Sequence, residues 1–390
     1  MYMLFSTILI LAFATSAADY ACWRRHLRHA SPGRRRLFLL WVLPSDALLP
    51  AIALTGFLLR DNTTTFMLWA MWLLWVWMLL VLPRIAWYLL AALRRPRTGL
   101  VAGAGIVALL VWGATSGRTH LRVTRTEVCS PRLPAAFDGL RIVQLSDIHL
   151  GTLVRPEREL HRIVDSVSAL RPDLILFTGD LVNIRSSELD DRAMRLLGGL
   201  RAPLGVFSVL GNHDVGVYIK DTVAQPREAS LAEVVARQEA MGWRVLADTT
   251  VYLVRGGDSL SLSGISFDPA LRKQRHDATL PPAPLDIVYR DVPPSLYNIT
   301  AVHLPQLWDQ IVEAGYGDLT LSGHVHAMQA KLHLFGRSFS PAQLLYTNWS
   351  GRYDDGPHTL YINDGTGYVG YPMRLGAWPE ITLITLRTCE

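Results

Sequence analysis

The pattern of hydrophobic residues divides the chain near residue 117. Before this point the apolar residues form four long runs, at residues 2–21, 37–59, 66–93 and 100–112. After it they form short runs that end in polar residues. A membrane-spanning helix needs about twenty predominantly apolar residues. The pattern therefore predicts a transmembrane region with about four helices over residues 1–117, followed by a second domain over residues 118–390.

The first apolar run allows two interpretations, a retained membrane helix or a cleaved signal peptide. A signal peptide begins with positive residues, and no Lys or Arg precedes this run, which favours the retained helix. Asp46 interrupts the second run. A carboxylate is costly in lipid, so we expect this side chain to face other helices. The fourth run contains small residues at 102–105, which suit close helix packing.

The formal charge of +5 and the calculated pI near 9.2 are those of a basic protein. The positive charge belongs to the first part, because residues 1–117 contain eleven Arg, no Lys and three acidic residues. Residues 118–390 carry the remaining 27 basic and 30 acidic residues. This slightly acidic domain has no basic stripe with interleaved aromatic residues, so we expect no nucleic acid partner.

The arginines also predict the orientation of the helices. They are concentrated after the first and third apolar runs, whereas the segment after the second run has one, Arg60. The positive-inside rule places Arg-rich loops in the cytoplasm. The second domain is then expected on the extracytoplasmic side of the cell inner (cytoplasmic) membrane. Removal of the first run would leave the orientation of this multi-pass region unchanged.

Residues 118–390 alternate between short apolar strands and amphipathic helices, as in an α/β fold. Helices are predicted after Pro156, around residues 191–197 and at residues 231–241. The predicted strands lie at residues 121–128, 142–145, 174–177, 205–210, 243–246, 251–254, 260–265, 298–302, 319–321 and 381–386. We interpret residues 268–294, which are rich in Pro and polar residues, as a long surface loop.

Side chains that can bind metal ions follow five of these strands. They are Asp147 and His149, then Asp180, then Asn212 and His213, then His303, and finally His324 and His326. Gly179, Gly211 and Gly323 directly precede three of these groups, and glycine permits a sharp turn and a close backbone approach. One such residue alone is typical of a helix cap or a turn. Their recurrence at five strand ends indicates a metal site at one edge of the sheets.

The chain has three cysteines, Cys22, Cys129 and Cys389. None of them belongs to a Cys-x-x-Cys pair, which argues against a zinc knuckle or a thioredoxin-type site.

Taken together, the polar motifs resemble those of the calcineurin-like metallophosphoesterase family. The resemblance extends from about residue 120 to the C-terminus and rests on the sequences DIH, GD, GNHD, H and GHVH at the five strand ends. Residues 379–386 also resemble the end of a bacterial, membrane-anchored branch of the family. The resemblance implies an α/β fold of four layers, an α-β-β-α sandwich of two packed sheets flanked by helices.

The resemblance also implies a role for each polar residue. Asp147, His149 and His326 would bind one metal ion, Asn212, His303 and His324 would bind a second, and Asp180 would bridge the two. His213 would hydrogen-bond a phosphoryl oxygen and protonate the leaving group, and Asp214 would orient it. The implied cofactors are two divalent ions, Mn, Fe or Zn. Such a pair can clamp the attacking and leaving oxygens of a phosphate.

Two residues depart from the pattern of this branch. The branch usually has GHTHGGQ, whereas Ala327 and Met328 replace the two glycines here, so we expect a narrower or more apolar mouth of the site. In the family the strand before the first motif lies near the last strand. Cys129 and Cys389 would then be able to pair in an oxidising compartment, and two free thiols are the equal alternative.

The sequence thus predicts a membrane-anchored metallophosphoesterase that hydrolyses a phosphomonoester or phosphodiester derived from the envelope or from lipid. The expected partners are this phosphate ester and the membrane, because the first motif lies shortly after the last helix. A pyrophosphate hydrolase of the UDP-diacylglucosamine type is one alternative, but its substrate is made in the cytoplasm, which conflicts with the predicted orientation. A membrane sensing or binding module with a non-catalytic domain is the other, and the complete set of metal ligands disfavours it.

Overall fold

The structure is a computed structural model and describes residues 2–59, 61–273 and 280–389. The chain forms two compact units. One comprises Met1–Thr115 with Gly370–Met373, and the other comprises Ser116–Val369 with Arg374–Glu390.

The first unit consists of four long helices. They are α1 (Tyr2–Cys22), α2 (Pro32–Leu58), α3 (Thr64–Ala92) and α4 (Pro96–Thr115). Among the described residues, three helices are long and apolar enough to cross a membrane, at Pro32–Leu58, Thr64–Ala92 and Pro96–Thr119. Helices α3 and α4 pack closely because α4 has glycine at the contact. A Cβ atom on Gly103 would lie 3.2 Å from the carbonyl oxygen of Pro83.

Arg84 of α3 lies buried among polar side chains from three helices. Its Nη2 atom contacts Asp19 Oδ2 of α1 and Asp46 Oδ1 of α2, each at 2.9 Å. Its Nη1 atom donates to Ser45 Oγ at 2.7 Å. Tyr88 donates to the other oxygen of Asp19 at 2.5 Å. Asp46 therefore faces other helices, which confirms the expectation from the cost of a carboxylate in lipid.

Replacing Arg84 by Leu is expected to lower the stability of this unit by about 3–5 kcal/mol, because two carboxylates are left buried without their cation. The thermal unfolding midpoint of the full chain in detergent measures the loss. Arg95→Leu, which removes an exposed charge, is the control. Adding Asp19→Asn and Asp46→Asn to Arg84→Leu should recover part of the stability. An unchanged midpoint for Arg84→Leu alone would contradict the ion-pair interpretation.

The second unit is built from fourteen strands and five helices of the described chain. The strands are β1 (Arg122–Ser130), β2 (Arg141–Leu145), β3 (Leu174–Phe177), β4 (Val206–Ser208), β5 (Arg244–Val245), β6 (Thr249–Arg255), β7 (Asp258–Ile265), β8 (Asn298–Val302), β9 (Leu319–Ser322), β10 (Leu332–Leu334), β11 (Arg337–Phe339), β12 (Gly351–Asp355), β13 (His358–Ile362) and β14 (Glu380–Thr388). The helices are α5 (Pro156–Ala169), α6 (Asp191–Leu197), α7 (Arg227–Ala240), α8 (Leu285–Val288) and α9 (Trp308–Glu313).

Twelve of these strands form two mixed six-stranded sheets, in the orders β1-β14-β2-β3-β4-β5 and β12-β13-β9-β8-β7-β6. The main core lies between the sheets, where side chains such as Ile142 and Leu176 of the first sheet belong to one cluster with Leu262 and Leu321 of the second. Helices cover the sheets. Helix α5, for example, buries one apolar face while its other face is polar. The mixed α/β fold of the metallophosphoesterase type, expected from the resemblance, is confirmed.

Some elements differ from the prediction. The long surface loop proposed for residues 268–294 contains a 3₁₀ turn at Pro269–Lys273 and helix α8, and Val288 and Tyr289 are buried. That part of the prediction is wrong, because these apolar side chains pack inward between the prolines. Residues 274–279 of the proposed loop lie outside the described residues. Helix α9 and strands β10–β13 were not predicted.

Strands β1 and β14 lie side by side at one edge of the first sheet and run parallel over nine residue pairs. Cys129 near the end of β1 and Cys389 just beyond β14 are joined by a disulfide bond. Of the two alternatives that the sequence left open, the structure has the paired one.

Candidate metal centre

The polar residues that follow the five strands come together at one place. Strands β2, β3 and β4 are parallel neighbours in the first sheet, and β8 and β9 are parallel neighbours in the second. Parallel strands end at the same edge, so the residues that follow them are brought close. Three groups of side chains there have ligand atoms within 4.8 Å of one another. They are Asp147, His149 and His326, then His149, Asp180 and His213, and then Asp180, His303 and His324.

Most of these side chains stand on a left-handed backbone. The φ angle is 53° at Asp147, 49° at His149, 60° at Asp180, 74° at His324 and 52° at His326. Residues other than glycine rarely adopt this conformation, which costs about 1–3 kcal/mol at each position. The strain is concentrated on the ligands suggested by the sequence, as is typical of functional sites.

The glycines before the polar residues allow the close approach predicted for them. A Cβ atom on Gly211 would lie 2.2 Å from Asp180 Oδ1, and one on Gly323 would lie 2.3 Å from Asp147 Oδ2. Gly179 has a φ of 94°, and a Cβ atom there would lie 2.7 Å from His303 Nδ1. A side chain at any of these positions would displace a candidate ligand.

The family resemblance implies hydrolysis of a phosphate ester, and Gly211→Ala is expected to lower this rate at least about a hundredfold, because a shift of about 1 Å in a reacting group has effects of this size. The added methyl group must push the Asp180 carboxylate aside. The rate with a chromogenic phosphodiester measures the change. Gly105→Ala is the control, because apart from its chain neighbours and its own helix backbone no atom lies within 4 Å of the added Cβ. Wild-type activity in Gly211→Ala would show that the position of the Asp180 carboxylate is unimportant.

The first group of side chains surrounds Asp147 Oδ1. This oxygen lies 3.0 Å from His326 Nε2 and 3.8 Å from His149 Nε2. The two Nε2 atoms are themselves 3.1 Å apart. Asp147 Oδ1 is buried and makes no hydrogen bond within the described residues. Such atoms are rare in proteins, and a cation bound between these three side chains would satisfy it.

The second group lies on the other side of Asp180. Its Oδ2 atom is 3.2 Å from His303 Nε2 and 3.7 Å from His149 Nε2, so one carboxylate oxygen is within reach of both groups. Asn212 Oδ1 lies 3.0 Å from His303 Nε2, and His324 Nδ1 lies 3.2 Å from the same atom. Asp180 is therefore placed to be shared between two ligand sets.

Neighbouring groups orient several of these side chains from behind. His303 Nδ1 lies 2.8 Å from the carbonyl oxygen of Thr178 and can donate its proton there, which directs Nε2 into the site. The Asn212 amide donates to the Tyr218 hydroxyl at 3.0 Å, so its oxygen faces His303. These contacts are those that a metal-binding site requires.

The titratable side chains of the site lie close enough together to shift one another's pKa values. Burial opposes ionisation of Asp180, but the rings of His303 and His213 outweigh it and hold the pKa of this carboxyl well below its usual range. Burial also opposes the charged form of His303, yet the Asp180 carboxylate raises the pKa of this ring to about 9. The carboxylates thus attract positive charge into a buried pocket. Divalent cations meet this requirement, and a donor set of imidazole, carboxylate and amide oxygen suits Mn, Fe or Zn.

His213 stands at the accessible side of the site and is half-buried. Its Nε2 atom lies 4.0 Å from Asp180 Oδ2, and its Nδ1 atom lies 2.5 Å from the carbonyl oxygen of Asn183. The Tyr218 ring packs on it with centroids 4.2 Å apart. Burial lowers the pKa of His213, so the ring is neutral near pH 7, with its proton directed at Asn183.

Asp214 does not orient His213, contrary to the expectation from the sequence. Its two oxygens accept hydrogen bonds from the backbone amides of Asp180, Leu181, Val182 and Gly211, at 2.7–3.1 Å. Burial and the nearby Asp180 raise the pKa of this carboxyl to about 7. Asp214 therefore stabilises the turn that carries Asp180. The contact with His213 Nδ1 is made by the Asn183 carbonyl oxygen instead.

Arg374 is a neighbour of the site that the sequence did not indicate. It is fully buried, its Nη2 lies 3.1 Å from His326 Nδ1, and its Nε donates to the carbonyl oxygen of Gly367 at 2.7 Å. It follows no motif and lies 48 residues after His326. No pattern in the sequence could have linked the two. Asn183, by contrast, is three residues from Asp180, but it acts through its backbone, which leaves no signal in the side chain.

The positions that depart from the branch pattern lie directly beside His326. Ala327 and Met328 have φ angles of 47° and 46°, values that glycine adopts without strain. Ala327 is fully buried and belongs to an apolar cluster with Tyr346 and Trp349, against which Met328 packs. A buried apolar cluster thus lies next to this ligand, and the narrower or more apolar mouth stays a prediction.

Comparison with known proteins assigns the class of this domain. Residues 140–328 match the model of the family described as calcineurin-like phosphoesterase. This part of the chain therefore matches the calcineurin-like phosphoesterases, which confirms the resemblance inferred from the motifs. The helices of the first unit remain candidate membrane helices.

The matches to individual proteins cover more residues of the chain than the match to the family model does. The uncharacterized metallophosphoesterase YkuE of Bacillus subtilis (strain 168) is 28% identical over 270 residues, 69% of this chain and 86% of the relative. The transmembrane protein with metallophosphoesterase domain of Danio rerio is 32% identical over 286 residues, 72% of this chain and 60% of the relative. The UDP-2,3-diacylglucosamine pyrophosphatase LpxG of Chlamydia trachomatis (serovar D) is 29% identical over 255 residues, 59% of this chain and 76% of the relative.

Proposed function

We propose that the protein is a membrane-anchored, two-metal phosphoesterase that hydrolyses a phosphomonoester or phosphodiester, derived from the envelope or from lipid. The observation that carries this proposal is the position of Asp180, whose Oδ2 atom is within 3.7 Å of His149 Nε2 and 3.2 Å of His303 Nε2. A carboxylate between two sets of nitrogen and oxygen donors is suited to hold two cations.

Each residue of the site has one role in this proposal. Asp147, His149 and His326 bind one divalent ion, Asn212, His303 and His324 bind the other, and Asp180 bridges them. When bound, the two ions polarise the phosphate and stabilise its attacking and leaving oxygens. The side chains at the back of the site are buried, whereas His213 and His324 are half-buried, so the phosphate approaches from their side.

His213 supplies the proton in this proposal. It is neutral in the described state, and an anionic phosphate bound beside it favours its protonated form. The Asn183 carbonyl holds the Nδ1 proton, so Nε2 is the atom that exchanges a proton with the substrate. The leaving oxygen can take up this proton as its bond to phosphorus breaks.

The full chain in detergent with Mn²⁺ and a chromogenic phosphodiester tests the reaction. We expect turnover that disappears with a chelator and returns with Mn²⁺. The reason is that the seven proposed ligands would hold the ions on which the reaction depends. Metal bound to the protein without turnover of phosphomonoesters, phosphodiesters or pyrophosphates would favour a sensing or binding module instead.

The location follows the distribution of arginines. In our proposal the helices lie in the inner membrane in several passes, and the second unit is extracytoplasmic. A reporter fused after Glu390 that requires an oxidising compartment should be active, and one that requires the cytoplasm should be silent. The opposite result would reverse the orientation. The Cys129–Cys389 disulfide supports the extracytoplasmic side, since such bonds persist in oxidising compartments.

A pyrophosphate hydrolase acting on a lipid-linked nucleotide diphosphate is the second candidate, because one relative is named a UDP-2,3-diacylglucosamine pyrophosphatase. Incubation of the full chain with this lipid, followed by mass analysis of the products, separates the two candidates. Release of UMP would support the second candidate. Hydrolysis of other phosphate esters, with this lipid left intact, would support the first.

A further inference from the structure

Strands β10 and β11 form a short hairpin that exposes an unusual number of apolar side chains. Phe335 is 99% exposed, Leu332 56%, Phe339 45% and Leu334 43%. Just after the hairpin, Leu344 is 81% exposed. Contiguous exposed apolar side chains of this kind mark interaction sites in soluble domains. We call residues 332–345 the apolar hairpin segment.

The turn of the hairpin contains an exposed aromatic residue, Phe335, that does not contribute to the folded core. Phe335 and Gly336 form a two-residue turn with φ angles of 51° and 76°. Turns of this type favour Asn-Gly or Asp-Gly, because both central residues have positive φ. A bulky residue there is strained, and its ring is fully in solvent. Phe335 has a strained backbone and buries no apolar surface, so it does not stabilise the hairpin. This points to a role outside folding.

Three of the exposed apolar side chains, Leu332, Leu334 and Phe339, share one face of the hairpin. Leu332 pairs with Phe339, and Leu334 pairs with Arg337, and directly paired residues point to the same side. On the opposite face, His333 contacts Ser338 at 3.1 Å. The hairpin is thus amphipathic, with an apolar face that carries one arginine.

The basic residues near the hairpin differ in their partners. No acidic residue occurs between Asp318 and Asp354, whereas Lys331, Arg337 and Arg352 lie in this interval. Lys331 pairs with Asp364 and Arg352 pairs with Asp354, so Arg337 is the base that belongs to the hairpin itself. An apolar face that carries a basic side chain suits the interface of a membrane that contains anionic lipids.

The apolar hairpin segment is fixed to the metal centre. Leu332 follows His326 by six residues, and Ser340 after the hairpin donates to the carbonyl oxygen of Ala327 at 2.7 Å. Ala342 is fully buried in the same apolar cluster as Ala327 and Tyr346. A ligand held by this segment would therefore lie near the residues that carry the proposed chemistry.

We propose that the apolar hairpin segment inserts into the surface of a bilayer that contains anionic phospholipids. The second unit begins at Ser116, directly after α4 ends at Thr115, so the chain tethers it to a segment with helices apolar enough to cross a membrane. A bilayer is thus the apolar phase within reach. Phe335 enters the acyl boundary, Leu332, Leu334 and Phe339 follow it, and Arg337 meets the lipid phosphates.

An environment-sensitive fluorophore on a single cysteine tests this proposal in the full chain. The protein carries Cys22→Ala, so that the introduced thiol is the reactive one, and is reconstituted into vesicles of phosphatidylethanolamine and phosphatidylglycerol. With Phe335→Cys we expect blue-shifted emission and quenching by doxyl-labelled lipids at least about twofold stronger than at the control position. The control is Val254→Cys, at a side chain of strand β6 that is 65% exposed. Leu344→Cys should behave as Phe335→Cys does and replaces it if that variant does not fold.

Two outcomes overturn the proposal. One is equal quenching of the labels at 335 and 254 by aqueous iodide, with no effect of the doxyl lipids. The other is a blue shift at 335 without lipid quenching, which would indicate contact with protein instead. The measurement does not use hydrolysis, so its result is independent of the proposed function.

Discussion

Asp180→Asn lowers hydrolysis of a chromogenic phosphodiester by about a thousandfold or more in our expectation, equivalent to about 4 kcal/mol of transition-state stabilisation. The amide retains an oxygen that can accept from the His213 backbone amide, a contact of 2.8 Å in the wild type. It removes the charge and replaces Oδ2, the oxygen within reach of both ligand sets, by an NH2 group. Metal analysis of the purified variant should show that less metal is bound per chain than in the wild type.

Asp165→Asn is the matched control, because it removes the charge of an exposed aspartate on helix α5 and should leave both rate and metal content unchanged. Full activity in Asp180→Asn would contradict the bridging role. Loss of activity with a lowered unfolding midpoint would show a folding defect, so the midpoint of each variant is measured beside its rate.

His213→Ala has an expected effect that depends on the leaving group. Without the ring, a substrate with an alkyl leaving group should react about 10²–10⁴ times more slowly, which is the usual contribution of a general acid. A substrate with a nitrophenyl leaving group needs little protonation and should lose much less. The two rates, measured with the same variant, separate proton donation from binding.

The control for this variant is His161→Ala on the exposed face of α5. Equal losses with both substrates would assign His213 to binding of the phosphoryl oxygens and not to proton transfer. The Asn183 carbonyl cannot be removed by a side-chain substitution, so His213 is the position at which this contact can be tested.

Much of the site could be predicted because each of its polar groups belongs to a short, recognisable stretch of sequence. Each polar group follows a buried apolar strand, and a parallel sheet brings such positions together whatever the loops between them do. Asp147 and Asp180, 33 residues apart in sequence, are therefore predictable neighbours. The two large sheets follow from the same apolar runs.

The residues that escaped prediction are those whose partners are set by tertiary packing. Asp214 follows His213 in sequence and was expected to contact it, but the turn directs its carboxylate to four backbone amides. Arg374 reaches His326 from a segment without a motif. Strand β12 contains Arg352 and two aspartates and is mostly exposed, so its pattern lacks the apolar alternation by which a strand is predicted.

The pairing of the first and last strands has a mechanical consequence. Tension applied through α4 enters the second unit at Ser116 and passes into β1. That strand is joined to β14 along nine residue pairs and by the Cys129–Cys389 bond, so the force is resisted in shear at this seam. Strands β3, β4, β8 and β9, after which most of the proposed ligands lie, are outside this path. Strand β2, which precedes Asp147 and His149, pairs with β14 and is therefore the strand of the site that lies closest to this path.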